Sequence, residues 1–310
     1  MANNFPAPIP HDWHPSGTAD LRATAVSPPV SQWSKNWRQF RRNPLAMFGL
    51  VILLSFIVVA ILAPAITSFP RGYGQPDELV NPPTGKHWFG TDDLGLDLFA
   101  EVVWGSRVTM YVGILATGLA LGIGVPIGLA GAFYKGRIDA ILTGLTDIFL
   151  SLPVLPLMIL MAAVMGSTLF NVAIVIGIFS WPQIARVVRG VTLATVEQPF
   201  VEAAVAMGSS NAHILWRHLL PNAVPTLVVN AFLTISRAVL SEAGLSFLGL
   251  GDPLQWSWGR ILQNAQRNGA FVTAWWWAFF PSLAIFLLVI SVTFVGTALN
   301  EIVNPRLKRR

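Results

Sequence analysis

A chain of 310 residues that is 54% hydrophobic and only 11% charged, with a mean hydropathy of +0.60, cannot clothe a water-facing surface; a soluble domain carries about 25% charged residues. The formal net charge of +5 and pI near 10.1 raise nucleic acid as a partner, but the basic residues flank apolar runs instead of gathering on a polar face. They read as a membrane topology signal, and the absence of cysteine excludes disulfides, thiolate metal sites and thiol nucleophiles.

In chain order, residues 1–34 are rich in Pro, Ser, Ala and Asn, and are expected to form a disordered cytoplasmic tail with no core to bury. The absence of an early apolar stretch with a cleavage site predicts no removable signal peptide. From Trp33 to Asn43, Lys35, Arg38, Arg41 and Arg42 alternate with Trp33, Trp37 and Phe40. Aromatics at headgroup depth and cations facing anionic lipid make this an interfacial lead, so that 35–66 comprises the lead and the first span.

Six apolar segments are expected to cross the membrane, at 45–66, 108–134, 138–164, 168–187, 222–245 and 275–299. Each is near the ~20 residues that a helix needs to span the hydrocarbon core. They are too long and continuous for barrel strands. The fourth is the least regular, because Trp181, Pro182 and Gln183 interrupt its end. Between the segments lie outer loops at 67–106 and 246–274 and one sizeable inner loop at 188–221, with a basic tail at 301–310.

Lys35, Arg38, Arg41 and Arg42, then Lys135 and Arg137, then Arg186, Arg189 and Arg217, then Arg306, Lys308, Arg309 and Arg310 all fall on one side of a six-span chain. The opposite side has longer loops with fewer cations. By the positive-inside rule both termini are cytoplasmic.

The second segment holds Gly118 and Gly122, then Gly124 and Gly128, two small-xxx-small pairs that let helix backbones approach closely; Pro126 adds a bend. Packing within the chain and lining of a pore both fit this pattern. Within the spans, Asp139, Asp147, Arg237 and Glu242 are ionisable, and such residues face a bundle interior or water. Asp139 is near a cytoplasmic end. Asp147, Arg237 and Glu242 are candidates either for the translocation path or for pairing between helices.

The inner loop contains Glu197-Gln198-Pro199-Phe200-Val201-Glu202-Ala203-Ala204-Val205-Ala206-Met207-Gly208. Pro199 suits the first turn of a helix, the alanines favour helix and Gly208 suits a stop. Ser209 or Ser210 can cap a second helix running to Pro221. Two short helices joined by a bend are expected, serving as a docking element or as a surface loop.

Glu202-Ala203-Ala204, then Gly208, then Leu220-Pro221 resembles the EAA loop of bacterial ABC importer permeases, although His218 stands where the general pattern has Ile. Arg217-His218-Leu219-Leu220-Pro221-Asn222 is similar to the dipeptide, oligopeptide and nickel branch. So are Gly90-Thr91-Asp92-Asp93-Leu94-Gly95-Leu96-Asp97 (with Leu96 where Arg is common), Glu242 to Gly251 with Trp258-Gly259, Pro281 to Phe286, and Asn304-Pro305-Arg306-Leu307. The ordered set covers roughly residues 35–310.

The resemblance implies an all-α membrane protein of six transmembrane helices, with the type I ABC importer permease fold over 107–300 and a cytoplasmic coupling helix. It implies a C-type subunit of the bacterial inner membrane that pairs with a second permease subunit, two cytoplasmic ATPase subunits and an extracytoplasmic substrate-binding protein. Energy coupling would rest on Glu202, Ala203, Ala204, Gly208, Leu220 and Pro221. The cargo would be peptides or related small solutes.

No G-x-x-x-x-G-K-[ST] phosphate loop is present, so ATP is expected to be used by partner subunits, and this chain is expected to be no enzyme. No His and acidic cluster has metal-ligand spacing, so no cofactor or metal is expected to bind directly. Other expected contacts are with lipid, not nucleic acid. Two alternatives are an ion-gradient-driven secondary transporter working through Asp147 or Glu242, and a membrane scaffold that transports nothing.

Overall fold

A computed structural model describes residues 32–303 of the chain, Tyr73 and Gln75 excepted. Of the expected tails at 1–34 and 301–310, residues 1–31 and 304–310 lie outside the described residues, as does the Asn304 to Leu307 motif, whereas 32–34 and 301–303 are helical and not tail. Two units are distinguished, divided between Arg38 and Gln39. The first contributes the opening residues of α1 (Gln32–Arg41), and the helical bundle belongs to the second.

In order come α2 (Pro44–Ile66), α3 (Leu98–Tyr134), α4 (Gly136–Ser151), α5 (Val154–Met165), α6 (Leu169–Val196) and α7 (Pro199–Ala206). Then come α8 (Asn211–Ile214), a π-helical turn (Leu215–Leu219), α9 (Leu220–Phe247), α10 (Trp258–Arg267), α11 (Ala270–Thr273) and α12 (Trp275–Val303). Among the described residues, α2, α3, α6, the run Asn211–Phe247 and α12 are each long and apolar enough to cross a membrane, and α4 with α5 forms a sixth, bent candidate.

The first span starts where its chemistry requires. The Asn43 side chain accepts the N–H groups of Leu45 (3.1 Å) and Ala46 (3.2 Å), and Pro44 occupies the first helical position, where no N–H is needed. Its 23 residues rise about 35 Å, enough for a hydrocarbon core of about 30 Å. Phe48, Val51, Val58 and Ile61 remain exposed, as a lipid-facing side demands, while Gly49 lies against Ser291 and Phe294 of α12.

The second helix begins ten residues earlier than the apolar pattern indicates. Asp97 caps it by accepting the Phe99 N–H (3.0 Å), and its first turns, in which Glu101 and Ser106 interrupt the apolar residues, are largely buried. At 37 residues α3 rises about 55 Å, so it overhangs the membrane. Gly124 and Gly128 then seat α3 on α6: a Cβ on Gly124 would meet the Trp181 carbonyl oxygen at 2.7 Å, and one on Gly128 the Ala185 oxygen at 2.5 Å. Gly118 and Gly122 face open space, so only one of the two small-residue pairs packs within the chain.

Two expectations for the middle of the chain are corrected. The third segment is not one helix, since α4 and α5 meet at 87° across Leu152-Pro153. Pro153 cannot donate into the helical ladder, and it drives Leu152 into extended backbone (ψ 146°). The fourth does not end at 187 but runs unbroken through Pro182 to Val196. Trp181 and Pro182 are buried against α3, and that packing outweighs the lost hydrogen bond.

At the end of the bundle away from α7, the loops before α3 and after α9 form a tryptophan-braced collar. Trp256 donates to the Pro70 carbonyl (2.9 Å), Trp258 to Val102 (2.9 Å) and Trp104 to Thr67 (3.2 Å). Phe89 stacks on Phe280 with ring centroids 3.9 Å apart. Trp256 and Trp258 are buried and Trp104 is half-buried, and an indole that reaches a carbonyl combines large apolar area with a satisfied N–H.

Candidate functional site

Two regions concentrate chemistry: the segment between α6 and α9 at one end of the bundle, and one face of α9 within it. In the first, Pro199 opens α7 as expected, and Gly208 closes it with φ +77°. There Gly208 donates to Val205 (2.9 Å) and Ser209 to Ala204 (3.1 Å), a left-handed termination that L residues adopt only with strain. Ser210 caps the next turn by accepting the His213 N–H (3.3 Å).

The expected second short helix does not stop at Pro221. α8 passes through the π turn directly into α9, with Leu220 N–H reaching back to Leu215 O. The wider π turn makes room for Pro221 at the start of the following helix, so the proline is absorbed instead of ending it. The connecting element and the span are therefore one continuous rod.

α7 is two-faced. Val201 and Ala204 are buried with Ile214, Leu219, Leu129, Ile184 and Val188, which ties the element to α3 and α6. Glu202, Ala203, Val205 and Met207 point outward, Met207 at 79% exposure, and Phe200 is exposed as well. Of the expected coupling residues, Glu202, Ala203, Gly208 and Pro221 are exposed, Leu220 is half-buried and Ala204 is an inward-facing anchor. His213 and His218 lie edge to face, 5.6 Å between centroids, beside Phe200.

The ionisable residues inside the spans are not brought together. Asp139 takes both Arg189 Nε and a terminal nitrogen at 2.7 Å, with Thr143 adding a third donor at 3.0 Å. Asp147 pairs with Arg186 at 2.6 Å. These two bridges clamp α4 to α6. Glu242 is fully buried near the C-terminal end of α9, accepting from Ser246 (2.6 Å) and Thr109 (3.5 Å), which joins α9 to α3. Arg237 is exposed, and alone of the four it has no hydrogen-bond or ion-pair partner among the described residues. At the N-terminal end of α9 an open groove of about 590 Å³ lies between Gly190 and Ala194 of α6 and Asn222 and Thr226 of α9.

Sequence reasoning missed one pair. Asp92 and Glu101 are both fully buried in the collar and face each other. Asp92 Oδ1 accepts from Leu94 (2.9 Å) and Leu96 (2.7 Å), but its Oδ2 and both Glu101 oxygens meet no donor. Burial pushes the Asp92 carboxyl above its ordinary range. Glu101 lay hidden because it precedes the apolar run and belongs to none of the motifs. Among the described residues no cluster of His, Asp and Glu could hold a metal ion.

Comparison with known proteins agrees with this architecture. Residues 122–309 match the family of binding-protein-dependent transport system inner membrane components. Residues 31–83 match the N-terminal TM domain of oligopeptide transport permease C. The chain is 36% identical over 288 residues to a dipeptide transport system permease protein of Alkalihalophilus pseudofirmus, covering 92% of each. It is 38% identical over 278 residues to a glutathione transport system permease protein of Escherichia coli O157:H7, covering 89% of this chain and 91% of the relative. Its fold is similar to a chain of the inward-facing MetNI methionine ABC transporter, with TM-score 0.54 and 23% identity over 66% of this chain and 95% of that one. The rod-like connecting element, the α3–α6 packing and these matches lead to one conclusion: the chain belongs to the family of binding-protein-dependent transport system inner membrane components, as a multi-pass permease subunit of an ABC importer.

Proposed function

We propose that this permease carries peptides or peptide-like solutes such as dipeptides and glutathione inward, forming half of the path in a heterodimer with a second permease subunit. Two ATPase subunits bind on the inner side and an extracytoplasmic binding protein delivers cargo at the collar. Both termini are cytoplasmic, in line with the cations flanking the spans. The names of the similar permeases support the cargo class.

The observation that carries this reading is the continuity of α8, the π turn and α9, with α7 fixed beside them. Glu202, Ala203 and Gly208 present a low-relief outer surface to the ATPase cleft, while Val201 and Ala204 grip the bundle. When ATP draws the ATPase subunits together, the displaced element pulls α9 and, through the α3–α6 contact, tilts the helices around the path. A packed rod transmits such a shift because its interior is not compressible.

The test is ATP-driven uptake by the assembled transporter in proteoliposomes. Glu202→Arg and Gly208→Pro are expected to leave insertion and ATP hydrolysis intact while lowering solute uptake per ATP by about tenfold or more, equivalent to roughly 1.4 kcal/mol of lost coupling. Wild-type coupling in both variants rejects the role given to this element.

A further inference from the structure

The outward face of α9 carries a set of polar and small residues in a largely apolar helix. Thr226, Asn230, Arg237, Ser241 and Gly244 recur at intervals of four, seven, four and three, so they fall on one side. All five are exposed or half-buried, whereas Ala238, Val239 and Glu242 on the other side are buried against α3, α10 and α12. Arg237 lies ten residues from the C-terminal end of the helix, about 15 Å at 1.5 Å per residue, inside a run apolar enough to cross a membrane.

A guanidinium at that depth is not left to lipid; it faces a water-filled path or an anion. Among the described residues, this chain supplies no anion. Glu242, five residues on, is turned to the far side and held by Ser246 and Thr109. Asp139 and Asp147 are engaged by Arg189 and Arg186. The same side also has unspent donors and acceptors: the Ser241 hydroxyl has no partner among the described residues, and the Asn230 amide uses only its nitrogen, toward the Thr226 carbonyl (2.9 Å). At its N-terminal end this side opens into the groove bounded by Asn222 and Thr226.

From this arrangement we infer that Arg237 is the charge-selecting residue of the translocation path, binding a carboxylate of the passing solute. The inference rests on the import reading above and adds to it a specific residue and a specific functional group. A carboxylate suits the guanidinium because two parallel N–H donors match its two oxygens. A fixed acid on the neighbouring permease would satisfy Arg237 alone; it would leave unexplained the unspent polar groups of Asn230 and Ser241 on the same side and the groove beyond them.

The chain contains no cysteine, which allows a direct test in the complete transporter, reconstituted with its partner subunits and supplied with saturating binding protein loaded with radiolabelled alanyl-alanine. Arg237→Gln is expected to lower uptake about tenfold, with Arg237→Lys recovering only part of the loss, because the ammonium restores the charge but not the two-pronged fork. Subunits of the Gln variant should still co-purify, and ATP hydrolysis stimulated by the loaded binding protein should persist. Arg237→Cys should react with the water-soluble reagent methanethiosulfonate ethylsulfonate. Wild-type uptake by Arg237→Gln overturns the inference. So does loss of subunit co-purification with an unreactive Arg237→Cys, which would identify a fixed acid on the neighbouring permease. Absence of ATP-dependent uptake by the wild-type assembly would instead reject the import reading, and this inference with it.

Discussion

At the scale of single residues, the collar pair shows how one buried group sets a local pH response. Asp92 keeps its two backbone donors, yet its carboxyl is raised by burial and faces Glu101, which has no donor at either oxygen. A carboxyl raised in the folded state stabilises that state fully below its unfolded value, and the contribution is lost as pH rises through the folded value. Thermal stability of the purified protein in detergent is therefore expected to fall with rising pH over that window. Asp92→Asn keeps an oxygen for the Leu94 and Leu96 N–H groups and gives Glu101 an amide donor. It should flatten the response and raise stability at neutral pH by about 1 kcal/mol, which tryptophan-fluorescence melting at several pH values would measure. A steeper pH slope in the variant would contradict the assignment.

At the scale of elements, backbone approach governs the bundle more than hydropathy does. α3 and α6 meet through Gly124 and Gly128, where a Cβ would stand 2.5–2.8 Å from atoms of α6. Gly128→Val should separate the helices and destabilise the chain by about 3 kcal/mol. Gly118→Ala, with open space around it, should change stability by less than about 1 kcal/mol. Comparing detergent melting midpoints for the two variants checks the contrast, and equal losses would mean that α3 packs through a different face. The α4–α6 bridges belong to this scale too: Arg189–Asp139, with both carboxylate oxygens engaged, fixes a short helix that the 87° break would otherwise leave poorly held.

At the scale of the whole molecule, the alternation of helices puts the α7–α8 connection and the tryptophan collar at opposite ends of the bundle. Single cysteines in this cysteine-free chain should report this without ambiguity. Met207→Cys, at 79% exposure, should label only from the cytoplasmic side, and Leu254→Cys, at 78%, only from the outside. The reverse pattern in sealed spheroplasts would invert the topology and remove the docking role of α7.

Much of this architecture is legible in the sequence because lipid imposes a simple rule: backbone polar groups must be satisfied within each spanning helix, so long apolar runs become helices. The runs beginning at Pro44 and Trp275, the Pro199 start and the Gly208 stop follow from local chemistry of that kind. The sequence also isolates Arg237, Asp147 and Glu242 as ionisable residues out of place in an apolar segment. Local chemistry cannot say which of them is already paired. The fold gives Asp147 to Arg186 and buries Glu242 between Thr109 and Ser246, leaving Arg237 open, because pairing depends on which helix faces which. It likewise carries α6 through Pro182, bends the third crossing at Pro153, and joins α8 to α9 through a π turn. A proline ends, bends or is absorbed into a helix according to the neighbours that pack on it, and only the tertiary structure decides those neighbours.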